Sequence, residues 1–128
     1  MIPFNGSIAR FISKEDLRNS EKLVNKIEAS SEDFSGHVII CGYGRGGQYL
    51  GRFLKEENIS FIAIDMDLNR VNDAANAGEK VMYGDASRRA VLRAAGIERA
   101  KALVITYSDD RASTKVLNVI RETYPGLP

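Results

Sequence analysis

Short apolar runs alternate with amphipathic stretches along the chain from residue 37 onward. Four runs predict strands, and the segment after each run carries apolar residues at helical spacing. The strands are expected at HVIIC (37–41), SFIAID (60–65), KVMYGD (80–85) and KALVIT (101–106). The first run is wholly apolar and β-branched, which suits a strand buried on both faces of a parallel sheet. Strands that alternate with helices likewise imply a parallel sheet. The pattern therefore predicts an α/β fold with a doubly wound parallel sheet.

Capping residues mark the ends of the predicted helices. Asp67 is a suitable N-cap and Gly78 a suitable C′ residue for the second helix. Ser87 is placed to cap the third, which is expected to stop at Gly96. Two acids, one of them Asp109, stand at the positive end of the fourth helix.

The first 36 residues are more polar than the rest. A helix is predicted over 13–29, with a thin apolar stripe formed by Leu17, Val24 and Ile27. So narrow a stripe is typical of a docking or linker helix rather than of a core element. We therefore expect a linker segment at 1–36 and a folded domain at 37–128.

Composition excludes several classes of protein. The chain has 128 residues, of which 44% are hydrophobic and 27% charged, as in ordinary globular domains. A net charge of +1 argues against nucleic-acid binding. The single cysteine rules out an internal disulfide and fits a reducing compartment. No apolar run reaches the length of a membrane-spanning helix.

A glycine-rich stretch, GYGRGG, follows the first strand directly. Gly42, Gly44 and Gly47 form the pattern G-x-G-x-x-G between a strand and a helix. In this dinucleotide-binding motif the first glycine permits the tight turn, the second lets the backbone approach a pyrophosphate, and the third lets the helix pack on the strand. The helix N-terminus would attract the phosphates. The motif predicts a Rossmann-like fold that binds a nucleotide.

The second strand supports this prediction, because it ends in an acid. Asp65 follows Gly47 by 18 residues, close to the spacing at which such sites hold the adenosine ribose. A carboxylate there would repel a 2′-phosphate, which favours NAD or AMP over NADP. Met66 and Asp67 are further candidates, although helix capping is the simpler explanation of Asp67.

The third and fourth strands end at the same sheet edge, where open α/β sheets bind ligands. Gly84 and Asp85 lie at the C-terminal end of the third strand, and Asp85 could either cap the next helix or line the adenine pocket. Thr106 ends the fourth strand and Tyr107 follows it, and both could line the far side of the nucleotide. For Tyr107 a plain packing role is an equal alternative.

Taken together, the stretches HVIICGYGRGGQYLGRFL, FIAIDMD, VMYGDAS and ALVITYSDD resemble the RCK-N domain, also called KTN or TrkA-N, over about residues 37–125. This is the nucleotide-binding regulatory domain of potassium channels and transporters. The resemblance is strongest to the cytosolic domains of Kef-type glutathione-gated potassium efflux systems and related cation:proton antiporters. It implies an adenine nucleotide, NAD(H) or AMP, as ligand.

The resemblance also implies the site residues, partners and location. By position the nucleotide site would comprise Gly42, Gly44, Arg45, Gly47, Asp65, Gly84, Asp85 and Ala86, with Arg45 at the phosphates. Further candidates for the same site are Tyr43, Gln48, Met66, Asp67, Thr106 and Tyr107. The domain would form a homodimer and act on a membrane transporter domain from the cytoplasmic face of the inner membrane.

Two departures from the family pattern stand out. The family fold continues with a further strand just beyond YPGLP, so the sheet is expected to be truncated at its C-terminal end. Thr114 stands where Kef sequences tend to carry Asn, in a region linked to glutathione binding, which puts glutathione gating in doubt.

Two other functions compete with this one. A free-standing regulatory subunit of Trk or Ktr type would share the same site. An NAD-dependent oxidoreductase would need a proton donor beside the nicotinamide. The only histidine, His37, opens the first strand at the opposite edge, and Cys41 is better explained as a buried small residue than as a redox thiol. We therefore expect neither catalytic residues nor a metal site.

Overall fold

The computed structural model describes residues 20–126, in which five helices and four strands are found. In chain order they are α1 (Ser20–Ser31), β1 (Val38–Cys41), α2 (Arg45–Glu56), β2 (Phe61–Asp65), α3 (Leu68–Asn76), β3 (Val81–Tyr83), α4 (Arg89–Ala94), β4 (Ala102–Ile105) and α5 (Asp110–Thr123). Each of the four predicted strands is present. Among the described residues, no helix combines the length and apolar character needed to cross a membrane.

The four strands form one parallel sheet in the order β3-β2-β1-β4. In the centre, Ile40 lies opposite Ala63 of β2 and Val104 of β4. The chain therefore adds β2 and β3 on one side of β1 and then, after β3, crosses through α4 to place β4 on the other side, so that the strand order reverses between β1 and β4. In such sheets ligands bind in the crevice outside the carboxyl ends of the strands, at this reversal.

Helices cover both faces of the sheet, which confirms the doubly wound architecture. One face carries α2 and α3 over a cluster that includes Ile40, Leu54 and Val71. The other carries α4 and α5 over a larger cluster that includes Ile39 and Leu92. Because β1 is wholly buried between these layers, its apolar, β-branched sequence is what the position demands.

Helix α1 joins the core, although its thin stripe predicted a docking or linker helix. Ile27 has no exposed surface and belongs to the larger core cluster, and Leu23 is also buried. The guanidinium of Arg99 fixes the end of the helix by donating hydrogen bonds to the carbonyls of Ser31 and Phe34. Residues 13–19 of the predicted helix lie outside the described residues, and a domain boundary at residue 36 stays a prediction.

The predicted helix ends are correct in most cases. The Asp67 side chain accepts from the backbone N–H groups of Asn69 and Arg70, and Gly78 has a φ of 79°, as a C′ glycine does. The prediction that Ser87 caps α4 is wrong. The N-cap position is Arg88, which makes no side-chain capping bond.

Candidate functional site

The glycine loop is held tightly between β1, α2 and the end of β4. Gly42 has a φ of 103°, and a Cβ placed on it would lie 2.8 Å from Oγ1 of Thr106. A Cβ on Gly47 would collide with the carbonyl oxygen of Gly42. Both glycines are therefore required by the geometry, one by its backbone conformation and one by the close approach of α2 to the loop.

Helix α2 begins at this loop with its backbone donors available. Its N-cap is Gly44, which makes no side-chain capping bond, and its first turn contains no acid. Helix N-termini leave up to four N–H groups without intrahelical partners and carry a partial positive charge. This end of α2 therefore has the properties of an anion site.

Asp65 links the glycine loop to the turn after β2. Its two carboxylate oxygens accept hydrogen bonds from the backbone N–H of Tyr43 at 2.6 Å and of Asp67 at 2.7 Å. The residue is only 4% exposed. Its carboxylate is therefore buried at the carboxyl edge of the sheet, in the crevice that is bounded by the glycine loop, the turn after β2 and the end of β4. The predicted ribose-binding acid and the predicted phosphate loop are thus in direct contact.

Arg70 also belongs to this site, and the sequence reasoning missed it. Its guanidinium forms ion pairs with Asp65 at 3.5 Å and with Asp67 at 3.8 Å. It also lies 3.6 Å from the point that a Cβ on Gly44 would occupy. A signal was present, because an arginine three residues after an N-cap returns to the start of its own helix.

Thr106 and Tyr107 close the crevice on the side of β4. The hydroxyl of Thr106 bonds to the carbonyl oxygens of Gly42 at 2.6 Å and Cys41 at 3.2 Å, so it holds the loop. Two ring carbons of Tyr107 lie 2.9 and 3.1 Å from the Cβ position of Gly42. Burial first, and then the electrostatic influence of Cys41, Asp65 and Asp85, raise the pKa of the Tyr107 hydroxyl, which therefore stays protonated.

The residues after β3 serve the fold as well as the crevice. One oxygen of Asp85 accepts hydrogen bonds from the backbone N–H and the hydroxyl of Ser87, so this carboxylate orders the approach to α4. Gly84 is buried, and a Cβ there would lie 3.2 Å from Cδ1 of Ile27. Ala86 has no exposed surface. Of the three, Asp85 is the one partly exposed at the sheet edge.

The remaining predicted residues differ in how they face the crevice. The ring of Tyr43 is 2% exposed and its hydroxyl donates to Glu79, so only its backbone faces the loop. Gln48 is exposed and donates to the carbonyl of Tyr43. Arg45 is exposed at the first residue of α2, and Met66 is 56% exposed after β2. Arg45 and Met66 are therefore accessible to a ligand.

Two side chains of types that often take part in catalysis, His37 and Cys41, are buried in the structure. His37 is buried at the other end of β1, where its Nε2 donates to the carbonyl oxygen of Ala95 at 2.8 Å. Burial raises the pKa of the Cys41 thiol to about 12. Within residues 20–126, no group of three histidines, cysteines or acids is placed to hold a metal ion.

The family model described as the TrkA-N domain matches residues 38–128. The chain belongs to the TrkA-N domain family. The match begins at β1 and includes every residue of the crevice described above.

The relatives of this chain include proteins of potassium efflux systems. The chain is 33% identical over 129 residues to the glutathione-regulated potassium-efflux system protein of Haemophilus influenzae, a match that covers 98% of this chain and 21% of that protein. The chain thus spans about a fifth of the length of this relative. Its relatives include parts of larger membrane transporters.

Solved structures share the fold. The TrkA-N domain of the inner membrane protein YbaL from Escherichia coli superposes with a TM-score of 0.68 at 26% identity, covering 74% of this chain and 70% of that one. The Kef CTD of Shewanella denitrificans in its AMP-bound form superposes with a TM-score of 0.62 at 34% identity, covering 71% and 54%. These matches confirm the Rossmann-like fold and the family resemblance.

Proposed function

We propose that this chain is the nucleotide-binding regulatory domain of a potassium efflux or cation:proton antiporter. Its ligand is an adenine nucleotide, AMP or NAD(H), bound at the carboxyl edge of the sheet. The observation that carries the proposal is the contact of the buried Asp65 carboxylate with the glycine loop. It sets a ribose acceptor beside a helix N-terminus that suits a phosphate.

In the bound state each part of the crevice has a distinct task. The N–H groups at the start of α2 receive the phosphate, and Arg45 adds a positive charge beside it. Asp65 retains a lone pair on each oxygen and accepts hydrogen bonds from the ribose hydroxyls. The guanidinium of Arg70 now lies against both Asp65 and Gly44, so its side chain would have to shift when the ligand binds.

The relatives support the regulatory part of the proposal. Potassium efflux is named in the Haemophilus influenzae relative, and the AMP-bound form of the Kef CTD is 34% identical over the matched part. The domain would act from the cytoplasmic face of the inner membrane, as a homodimer that contacts a membrane transporter domain. Nucleotide binding would shift the population of two contact states and so gate transport.

An oxidoreductase remains the main competing function of another class. A hydride-transferring enzyme needs an acid or base beside the cofactor's reacting carbon. Cys41 lies beside the loop, but it is buried and the pKa of its thiol is raised, so little of it ionises to the reactive thiolate. These observations favour a binding module, and we expect no turnover of substrate.

Isothermal calorimetry of the chain with AMP, ADP, ATP, NAD and NADH tests the proposal. At least one of the five is expected to bind with a dissociation constant below the millimolar range. NADH absorbance measured in the same samples should stay constant, since no chemistry is expected. Absence of binding by all five nucleotides at millimolar concentration would overturn the site assignment.

A further inference from the structure

Tyr107 lies across the point where a dinucleotide would have to pass. Ile105, the last residue of β4, pairs with Cys41, the last residue of β1, so Tyr107 emerges beside the glycine loop. Its ring rests on Gly42, with carbons 2.9 and 3.1 Å from the Cβ position of that glycine. The ring is therefore fixed at the junction between β1 and β4.

The ring stands among groups that end three neighbouring strands. Its hydroxyl is within electrostatic range of Cys41 at the end of β1, of Asp65 at the end of β2 and of Asp85 after β3. The backbone at its base is held because Thr106 bonds to the carbonyl oxygens of Cys41 and Gly42. The ring also packs against the larger core cluster, so it is half-buried and supported from below.

The strand order decides what this position means for a ligand. In a sheet of order β3-β2-β1-β4, the reversal lies between β1 and β4, and a dinucleotide spans it with one nucleoside on each side. The adenosine half lies on the side of Asp65, and the second nucleoside crosses toward the end of β4. A mononucleotide needs only the first half and the start of α2.

We propose that Tyr107 restricts this crevice to a single nucleoside phosphate, so that the site selects AMP-class ligands over NAD(H). The ring forms the wall of the mononucleotide site on the side of β4 and fills space that a second nucleoside would take. This inference rests on the proposed function and narrows its ligand class. Small side chains at this position would open the crossing.

Calorimetry with AMP and NAD on variants of the full chain tests this inference. Tyr107→Ala removes the wall, and Tyr107→Leu removes the ring while keeping apolar contact with the core. Both are expected to raise NAD affinity relative to AMP affinity at least tenfold. Tyr107→Phe keeps the ring and should keep the preference for AMP. Tyr124→Ala is the matched control, because Tyr124 is also half-buried against the same core cluster but lies at the end of α5.

The outcomes separate the inference from the proposed function. If the unmodified chain binds neither AMP nor NAD, the proposed function fails and the inference fails with it. If AMP binds but the affinity ratio of NAD to AMP is the same in the unmodified chain, Tyr107→Ala and Tyr107→Leu, the proposed function stands and the inference is overturned. A tenfold rise in that ratio in Tyr124→Ala would also overturn it, because the effect would then not belong to the crevice.

Discussion

At the scale of single residues, Asp65 has two roles, one in stability and one in ligand affinity, and each can be measured separately. Its carboxylate satisfies two backbone N–H groups in the folded chain and, on our proposal, also the ribose of the ligand. The first task belongs to stability and the second to affinity. Sequence spacing alone predicted the second task, while the first became visible only when the loop and the strand end were seen in contact.

We predict that Asp65→Asn weakens both. An amide offers one acceptor oxygen where the carboxylate offers two, so one backbone N–H loses its partner. Leaving a buried donor unsatisfied costs about 1–3 kcal/mol of unfolding free energy, measurable by urea denaturation. AMP affinity should fall about tenfold or more, because hydrogen bonds to a charged acceptor are the stronger ones.

Asp73→Asn provides the control for charge, since Asp73 is an exposed acid on α3. It should leave both the unfolding free energy and the affinity close to those of the unmodified chain. Equal effects of the two substitutions would mean that Asp65 acts only through net charge.

Cys41 is predicted to be unreactive in the folded chain. Burial raises the pKa of its thiol from 9.0 to about 12, so at pH 8 the reactive thiolate fraction is about a thousandfold smaller than in the unfolded chain. A disulfide reagent should therefore react at pH 8 at a rate limited by opening of the fold, and quickly after urea is added. Native reaction at the speed of an exposed thiol would contradict this burial.

Among the elements, the junction of β1 and α2 is the most constrained, and two adjacent glycines test it. Gly47→Ala places a Cβ against the carbonyl oxygen of Gly42, which forces α2 away from the loop. We expect a loss of about 1–3 kcal/mol in unfolding free energy, the usual cost of overpacking, together with loss of nucleotide binding.

Gly46→Ala is the matched control in the same helical turn. Gly46 is exposed, and the nearest atom to a Cβ there is Cβ of Thr106 at 3.9 Å, an ordinary contact. Alanine is the better helix former, so unfolding free energy should rise by about 0.5–1 kcal/mol. If both variants lose stability equally, the close approach at Gly47 is not what the loop requires.

The elements that the sequence predicted are those whose signals are local. The four strands stand out as short apolar runs, and Asp67 and Gly78 mark helix ends because capping depends on neighbouring residues. Ser87 failed as a cap because Asp85 binds its hydroxyl and Arg88 takes the N-cap position. Ile27 was undervalued because its burial depends on α4 and on the strand ends, which are distant in sequence.

The candidate site could likewise be predicted only where residue spacing gives a signal. The spacing of Gly42, Gly47 and Asp65 predicted residues that the structure brings together. The pairing of Arg70 with two acids, and the path of the Tyr107 ring across the end of β1, depend on side-chain conformations that no pattern encodes. Tyr43 illustrates the converse, because a loop residue expected in the site points its ring into the core.

At the scale of the whole molecule, the predicted homodimer can be tested directly. Helix α5 is the candidate contact surface, because its sequence carries apolar residues on more than one face. In the structure Val116 and Ile120 are buried on the chain's own sheet, and Leu117, at 39% exposed, is the large hydrophobic residue that α5 leaves outside. The surface available on α5 is therefore smaller than the sequence implied.

We still predict a dimer by sedimentation at tens of micromolar, since a regulatory domain acts by changing a contact. Leu117→Lys should weaken it if α5 forms the interface. A monomer with and without nucleotide would contradict the prediction for this chain.

A titration of the isotope-labelled chain with AMP, followed by amide nuclear magnetic resonance, shows directly whether a nucleotide binds at the carboxyl edge of the sheet. We predict that the largest shifts fall on the glycine loop and the start of α2, on Met66 and Asp67, and on Tyr107. Amides at the opposite edge, such as that of His37, should hardly move. Saturable shifts confined to that opposite edge, or none at millimolar AMP, would contradict it.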